Sequence, residues 1–196
     1  MEIDESWRVI LDHIGRRCPD VLDGIRPPAA DADLRAAEEA VGGPLPDDLA
    51  RWWRLADGAR RGVAIMPQVY APMSVADSLA RRETWRDVSA ELAHHDPDDR
   101  ERCLREPAGS PCHGWWLPQW LPIGSDFGGD TLFVDLRPGP ERGCVGEFHT
   151  DGWDYRRPLW PSVTVMLAEV AASARSGALV RGFRLRVDED GVEWDF

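Results

Sequence analysis

The side chains best suited to chemistry fall between Gly124 and Asp154. Asp126, Asp130, Asp135, Glu147, His149 and Asp151 put five carboxylates and an imidazole into one stretch. Such a set can bind a divalent cation through oxygen, or supply an acid and a base. A small metal-dependent hydrolase built on it needs Asp126, Asp130, His149 and Asp151 to converge in one cleft. A plainer expectation competes. Asp130 and Asp135 bracket the apolar run Thr131-Leu132-Phe133-Val134, where aspartates commonly end strand pairing and cap turns. On that reading, which is the one adopted, the carboxylates shape hairpins and face outward.

Other constellations dissolve on inspection. Gly124-Ser125-Asp126-Phe127-Gly128-Gly129 has the glycines of a phosphate cradle. It lacks the Gly-Lys-Ser/Thr ending, and it precedes a strand where a cradle feeds a helix. It is read as a turn. The chain has no lysine, which removes Schiff-base and phosphate-loop lysine chemistry. Cys103, Cys112, His113 and Cys144 match no familiar zinc spacing, and Cys18 stands apart, so free thiols are expected. His94-His95-Asp96 cannot offer the i, i+4 histidines of a helical zinc site, and a solvated loop is expected there, as at Cys112-His113. No catalytic residue, metal or cofactor is implied.

What remains is charge and aromatic surface. The formal charge is −12, with seven acids against two arginines over 124–154 and six against one over 31–48. That balance disfavours nucleic acid, whose binding rests on neutralised phosphates, and suits a basic protein partner, although charge taken alone asks for no more than solubility. There are ten tryptophans. Trp7, Trp52, Trp85 and Trp194 fall on predicted inner faces. Trp52 and Trp53 point about 100° apart on a helix, and Trp115 and Trp116 face opposite ways in extended chain, so one of each pair is expected to be exposed or at the core margin. The expected partner surface is Asp126, Asp130, Glu147, Asp151, Trp153, Asp154, Tyr155 and Trp116. Packing of the aromatics beneath a loop is the alternative.

These residues must be positioned by a core. Trp7, Ile10, Leu11 and Ile14 share one helical face. A second helix follows Arg26-Pro27-Pro28, with Asp31 as its expected N-cap and Leu34, Ala37 and Val41 inward. Gly42-Gly43 stops it. Pro46 opens a third helix carrying Leu49, Trp52, Trp53 and Ala56. Val63–Met66 and Val69-Tyr70 read as short strands. Ser74 and Asp77 form a capping box for a helix carrying Val75, Leu79, Trp85, Val88 and Leu92. Residues 94–114 read as a polar surface excursion. Strands are expected at 120–123, 131–135 and 144–148, then a helix from Ser162 to about Arg175 stopped by Gly177. A C-terminal hairpin closes the chain, with Phe183, Leu185 and Val187 alternating against Val192, Trp194 and Phe196.

The clustering of helices and strands predicts an α+β fold: a single, mostly antiparallel sheet packed by several helices, in one domain over 1–196. Nothing approaches a membrane span in length. The acidic start Met1–Glu5 lacks an export signal's basic and apolar regions, so a cytoplasmic location is expected.

Two ordered motifs then carry a resemblance. The first is the helix from Ala32 with its glycine stop, Leu45-Pro46-Asp47-Asp48, and a helix ending in Asp57-Gly58. The second is Trp120–Asp130, with Gly129, then Phe133-Val134-Asp135-Leu136, Gly143-Cys144-Val145-Gly146 and a closing helix. Together, over about residues 26 to 175, they resemble the SUKH superfamily of fungal cell-wall assembly regulators and bacterial immunity proteins. Asp57 stands where that family often has asparagine, and the 94–114 excursion and C-terminal hairpin lie outside its shared core. The resemblance implies helices on one sheet, structural roles for Leu45, Pro46, Asp57, Gly58, Gly129 and Asp135, and a protein-binding role. Many bacterial members are immunity proteins that neutralise a toxin domain, others are adaptors, and no shared catalytic site is implied.

Overall fold

The computed structural model describes residues 1–92, 97–126, 128–152 and 154–196. Its helices are α1 (Ile3–Gly15), α2 (Asp31–Val41), α3 (Asp47–Trp53), α4 (Val75–Leu92), α5 (Pro97–Arg105) and α6 (Val163–Ser176). Its strands are β1 (Ala71–Pro72), β2 (Cys112–His113), β3 (Trp120–Ser125), β4 (Thr131–Asp135), β5 (Val145–Phe148), β6 (Asp154–Tyr155), β7 (Arg184–Asp188) and β8 (Gly191–Asp195). The central sheet runs β1-β3-β4-β5, antiparallel throughout; β2–β6 and β7–β8 form separate ribbons. The fold is α+β, as the sequence pattern implies.

Both faces of the central sheet are covered, and the alternation along β4 shows how. Leu132 and Val134 enter a largely aliphatic core shared with α1, α3, α6 and the C-terminal hairpin, while Phe133 enters a second, aromatic core. Ser162 caps α6, its hydroxyl accepting the Val165 N–H at 3.2 Å, and Gly177 ends it with φ +68°. The β7–β8 hairpin folds back on the same chain. Its Leu185 N–H reaches the Ser173 hydroxyl at 2.9 Å, and the Trp194 indole reaches the Ala64 carbonyl at 3.2 Å.

Trp116 lies at the centre of the aromatic core, edge-on to Trp120 at 5.5 Å and stacked on Trp85 at 5.9 Å; Trp120 stacks on Phe133 at 4.3 Å. Offset and edge-to-face pairs of this kind add to the burial of the rings. The expectation that one tryptophan of each adjacent pair is exposed is therefore corrected. Trp52, Trp53, Trp115 and Trp116 are all buried, because helices and sheet close over both sides of each pair.

Other expectations shift as well. Residues 63–65 form no strand, and Met66 and Tyr70 meet in a single bridge across the turn 67–69, where Gln68 has φ +77°. Ala30, not Asp31, precedes the first turn of α2, and the Asp33 carboxylate accepts its N–H at 3.1 Å. The polar excursion is not all loop. Its start, His94-His95-Asp96, lies outside the described residues. Pro97, Asp98 and Asp99 then open α5, where proline and negative charge suit a helix start, and Arg102 and Arg105 suit its end. Cys103 and Cys112 are buried in the aromatic core.

Candidate functional site

The carboxylates gather at the two ends of β4. At its start, the Asp126 carboxylate accepts the Gly129 N–H at 2.6 Å, closing the β3–β4 turn, and Gly129 takes φ +111°, a region that disfavours side chains. Asp130 meets the far side of β5. Its Oδ1 accepts the N–H and hydroxyl of Thr150 at 2.8 and 2.9 Å, and its Oδ2 lies 2.9 Å from His149 Nδ1. His149 Nε2 stands 3.2 Å from Glu147 Oε2, and the buried Tyr70 hydroxyl donates to Glu147 Oε1 at 2.6 Å. The result is a chain: Asp130, His149, Glu147, Tyr70.

This chain sets the protonation of its members. Burial lowers the His149 pKa, but the Asp130 hydrogen bond and the charges of Glu147, Asp130 and Asp154 outweigh it, so the imidazole is held above its ordinary value. Burial raises Asp130, but the bonds from Thr150 and His149 win and hold it below the usual carboxylate range. Burial, with the Glu147 charge beside it, pushes Tyr70 up and keeps its phenol neutral.

Chemically, the arrangement is self-satisfied. The two acids lie at opposite nitrogens of the imidazole, so their lone pairs do not meet at a point. No three His, Cys, Asp or Glu among the described residues stand close enough to hold a metal ion. Of the four residues a hydrolase requires, Asp130 and His149 are joined, Asp126 is turned to its own glycine turn, and Asp151 is exposed. The cysteines are all free and buried. Burial pushes Cys144 up to about 12 and raises Cys112 too, which leaves inert thiols.

At the other end of β4 the chemistry is internal. Asp135 and Arg137 are both fully buried and paired, with Arg137 Nη2 to Asp135 Oδ2 at 2.7 Å and Nε to Oδ1 at 3.1 Å. Asp135 also accepts the Gly109 N–H at 3.0 Å. Arg137 spends its remaining donors on the carbonyls of Cys103 at 3.0 Å and Ser110 at 2.8 Å. The pair thereby fastens the 97–113 segment to the sheet.

Of the expected partner surface, Asp126 and Asp130 are half-buried and Asp151 is exposed at the loop end of the hairpins. Trp153 lies outside the described residues. Glu147 and Asp154 are buried, the latter with Arg156 Nε at 2.7 Å. Trp116 and Tyr155 are corrected: both are 0% exposed core residues and present no ring to a partner. Sequence reading missed Arg137, Tyr70 and Thr150. A charged residue two positions after a strand-ending aspartate was the only hint for Arg137, and nothing local marks Tyr70.

The motif residues have physical duties. The Asp57 carboxylate accepts the Val75 N–H at 2.7 Å, capping α4 from a distant loop. A Cβ at Gly58, φ +71°, would lie 2.4 Å from the Met73–Ser74 backbone. Leu45 is buried, Pro46 precedes α3, and Asp48 accepts the Thr164 N–H of α6 at 3.0 Å.

Comparison with known proteins agrees with this frame. Residues 28–169 match the family model described as SMI1 / KNR4 family (SUKH-1). A glucan synthesis regulatory protein of Neurospora crassa is 24% identical over 208 residues, an alignment that takes in 88% of this chain. The chain spans only 39% of that relative's length.

Proposed function

The chain belongs to the SMI1/KNR4 (SUKH-1) family, and from that premise we propose that it is a protein-binding module without catalytic chemistry of its own. Its partner surface is the loop end of the central hairpins, around Asp126, Asp130 and Asp151. The observation that supports this reading is the mutual satisfaction of Asp130, His149, Glu147 and Tyr70, which among the described residues turns these titratable side chains on one another. An acidic edge suits a basic partner and steers its approach. The form proposed is an immunity-type protein of the cytoplasm that neutralises a toxin domain by covering it.

Copurification of the native protein with the products of neighbouring genes tests the proposal. Recovery of a toxin domain, and protection from it, supports the immunity form. Recovery of other partners supports an adaptor role, which the regulatory name of the Neurospora relative favours. No helix among the described residues is long and apolar enough to cross a membrane. Metal analysis completes the test: a stoichiometric ion, with a hydrolytic activity lost in His149→Ala, would replace this proposal with the hydrolase.

A further inference from the structure

A second feature lies on the other side of the β3–β4 turn. A groove of about 590 Å³ runs between the first turns of α4, strand β1 and that turn, a size ordinary for a ligand site. Its charged lining is Arg26, Arg61, Arg81, Asp77 and Asp126, with the Ser125 hydroxyl between them. Three guanidiniums against two carboxylates leave one positive charge, on a chain whose formal total is −12.

The two acids are already engaged. Asp77 pairs with Arg26 at 2.9 Å and takes the Ser74 hydroxyl at 2.7 Å; Asp126 holds its own turn. Arg81 is different. Half-buried, it donates to neutral Ser125 Oγ at 3.3 Å, and among the described residues it forms no ion pair. A guanidinium offers five N–H donors in a flat fork that matches a carboxylate in two-point contact.

We infer that this groove receives a single carboxylate, an Asp or Glu side chain carried on an extended segment of a partner protein, with Arg81 as its principal contact and Arg26 and Arg61 at its sides. Charge decides for a carboxylate over a phosphate: Arg81, in no ion pair among the described residues, offers a single charge that matches a monoanion, whereas a dianion also meets Asp77 and Asp126 in the walls. The volume decides for a segment of chain over a lone anion, which would leave most of the groove empty. A partner would thus be read by two opposite signals, basic toward Asp126, Asp130 and Asp151 and acidic toward Arg81. The inference rests on the protein-binding reading only in assigning the carboxylate to a partner.

The test needs no partner. The ¹⁵N-labelled full chain is titrated at low salt with acetyl-Ser-Gly-Glu-Gly-Ser-amide, with its glutamine counterpart, and with inorganic phosphate. The glutamate peptide is expected to move the amides of Ser125, Gly128 and Gly129 and the Arg81 side-chain resonance, and the glutamine peptide to leave them. Arg81→Gln should weaken the glutamate peptide at least about fivefold, the loss of a charge-assisted fork, and the exposed Arg61→Gln should weaken it less, in the same direction. Absence of movement, equal movement by the glutamine peptide, unchanged affinity in both variants, or tighter binding of phosphate than of peptide each overturns the inference. A failed peptide titration leaves the protein-binding reading standing, and a failed copurification leaves this one standing.

Discussion

The two ends of β4 carry the same residue type and use it in opposite ways. Asp135 is sealed against Arg137 with no exposure and holds a helix-bearing segment to the sheet. Asp130, at the start of the strand, retains about a quarter of its side-chain exposure and holds only a neighbouring turn and a histidine. Burial makes the difference. In the interior an ion pair whose partner is removed leaves an uncompensated charge, whereas at the rim water replaces the lost partner. One end of the strand is committed to the fold, and the other stands at the water-exposed rim.

That contrast breaks first where it is strongest. Asp135→Ala should cost on the order of 3–5 kcal/mol, because it strands a buried guanidinium. Asp130→Ala should cost about 1 kcal/mol, the price of hydrogen bonds that water partly restores. Urea unfolding of both variants measures the gap; equal costs would remove the distinction. Tyr70→Phe is expected between them, at about 1–2 kcal/mol, since it takes the donor from a buried Glu147 oxygen.

Acidity sharpens the contrast further. His149 is held above its ordinary pKa, so its contribution is fully present below the unfolded value of about 6.5 and fades as pH rises through the folded one. Asp130 is held low, so its contribution is present above the unfolded value of about 3.9 and fades as pH falls through its folded one. The difference in Tm between wild type and His149→Gln should therefore be greatest near pH 5–6, the window between those two values, and shrink toward pH 8. The smallest effect belongs to Asp151→Asn. Exposed and outside the network, it should leave stability within about 0.5 kcal/mol.

The sequence makes plain those parts whose signals are local. The alternation of 183–187 and 192–196, the Ser162 cap and Gly177 stop of α6, and the Ser74–Asp77 box all state an element within a few residues. The second core is less readable because its supports are polar and distant. The buried stripe of α4 is Val75, Ser78, Arg82, Trp85 and Ser89, helical in spacing but mostly polar. Ser78, Arg82 and Ser89 use it to bind the carbonyls of Pro122, Pro118 and Trp116. Hydrophobic periodicity does not register such a face. The same holds at the site. Asp126, Asp130, His149 and Asp151 declare themselves by type, whereas the inward turn of Glu147 follows from a sheet covered on both faces and from Tyr70, far away in sequence.

The central claim is that the loop end of the central hairpins meets a macromolecule and performs no reaction. Its most direct test is calorimetric titration of the recovered partner against wild type and the Asp126→Asn/Asp151→Asn double variant. Affinity should fall by about tenfold or more with the fold unchanged, as charge complementarity is lost. Equal affinity for both proteins would contradict the claim, as would substrate turnover that depends on His149.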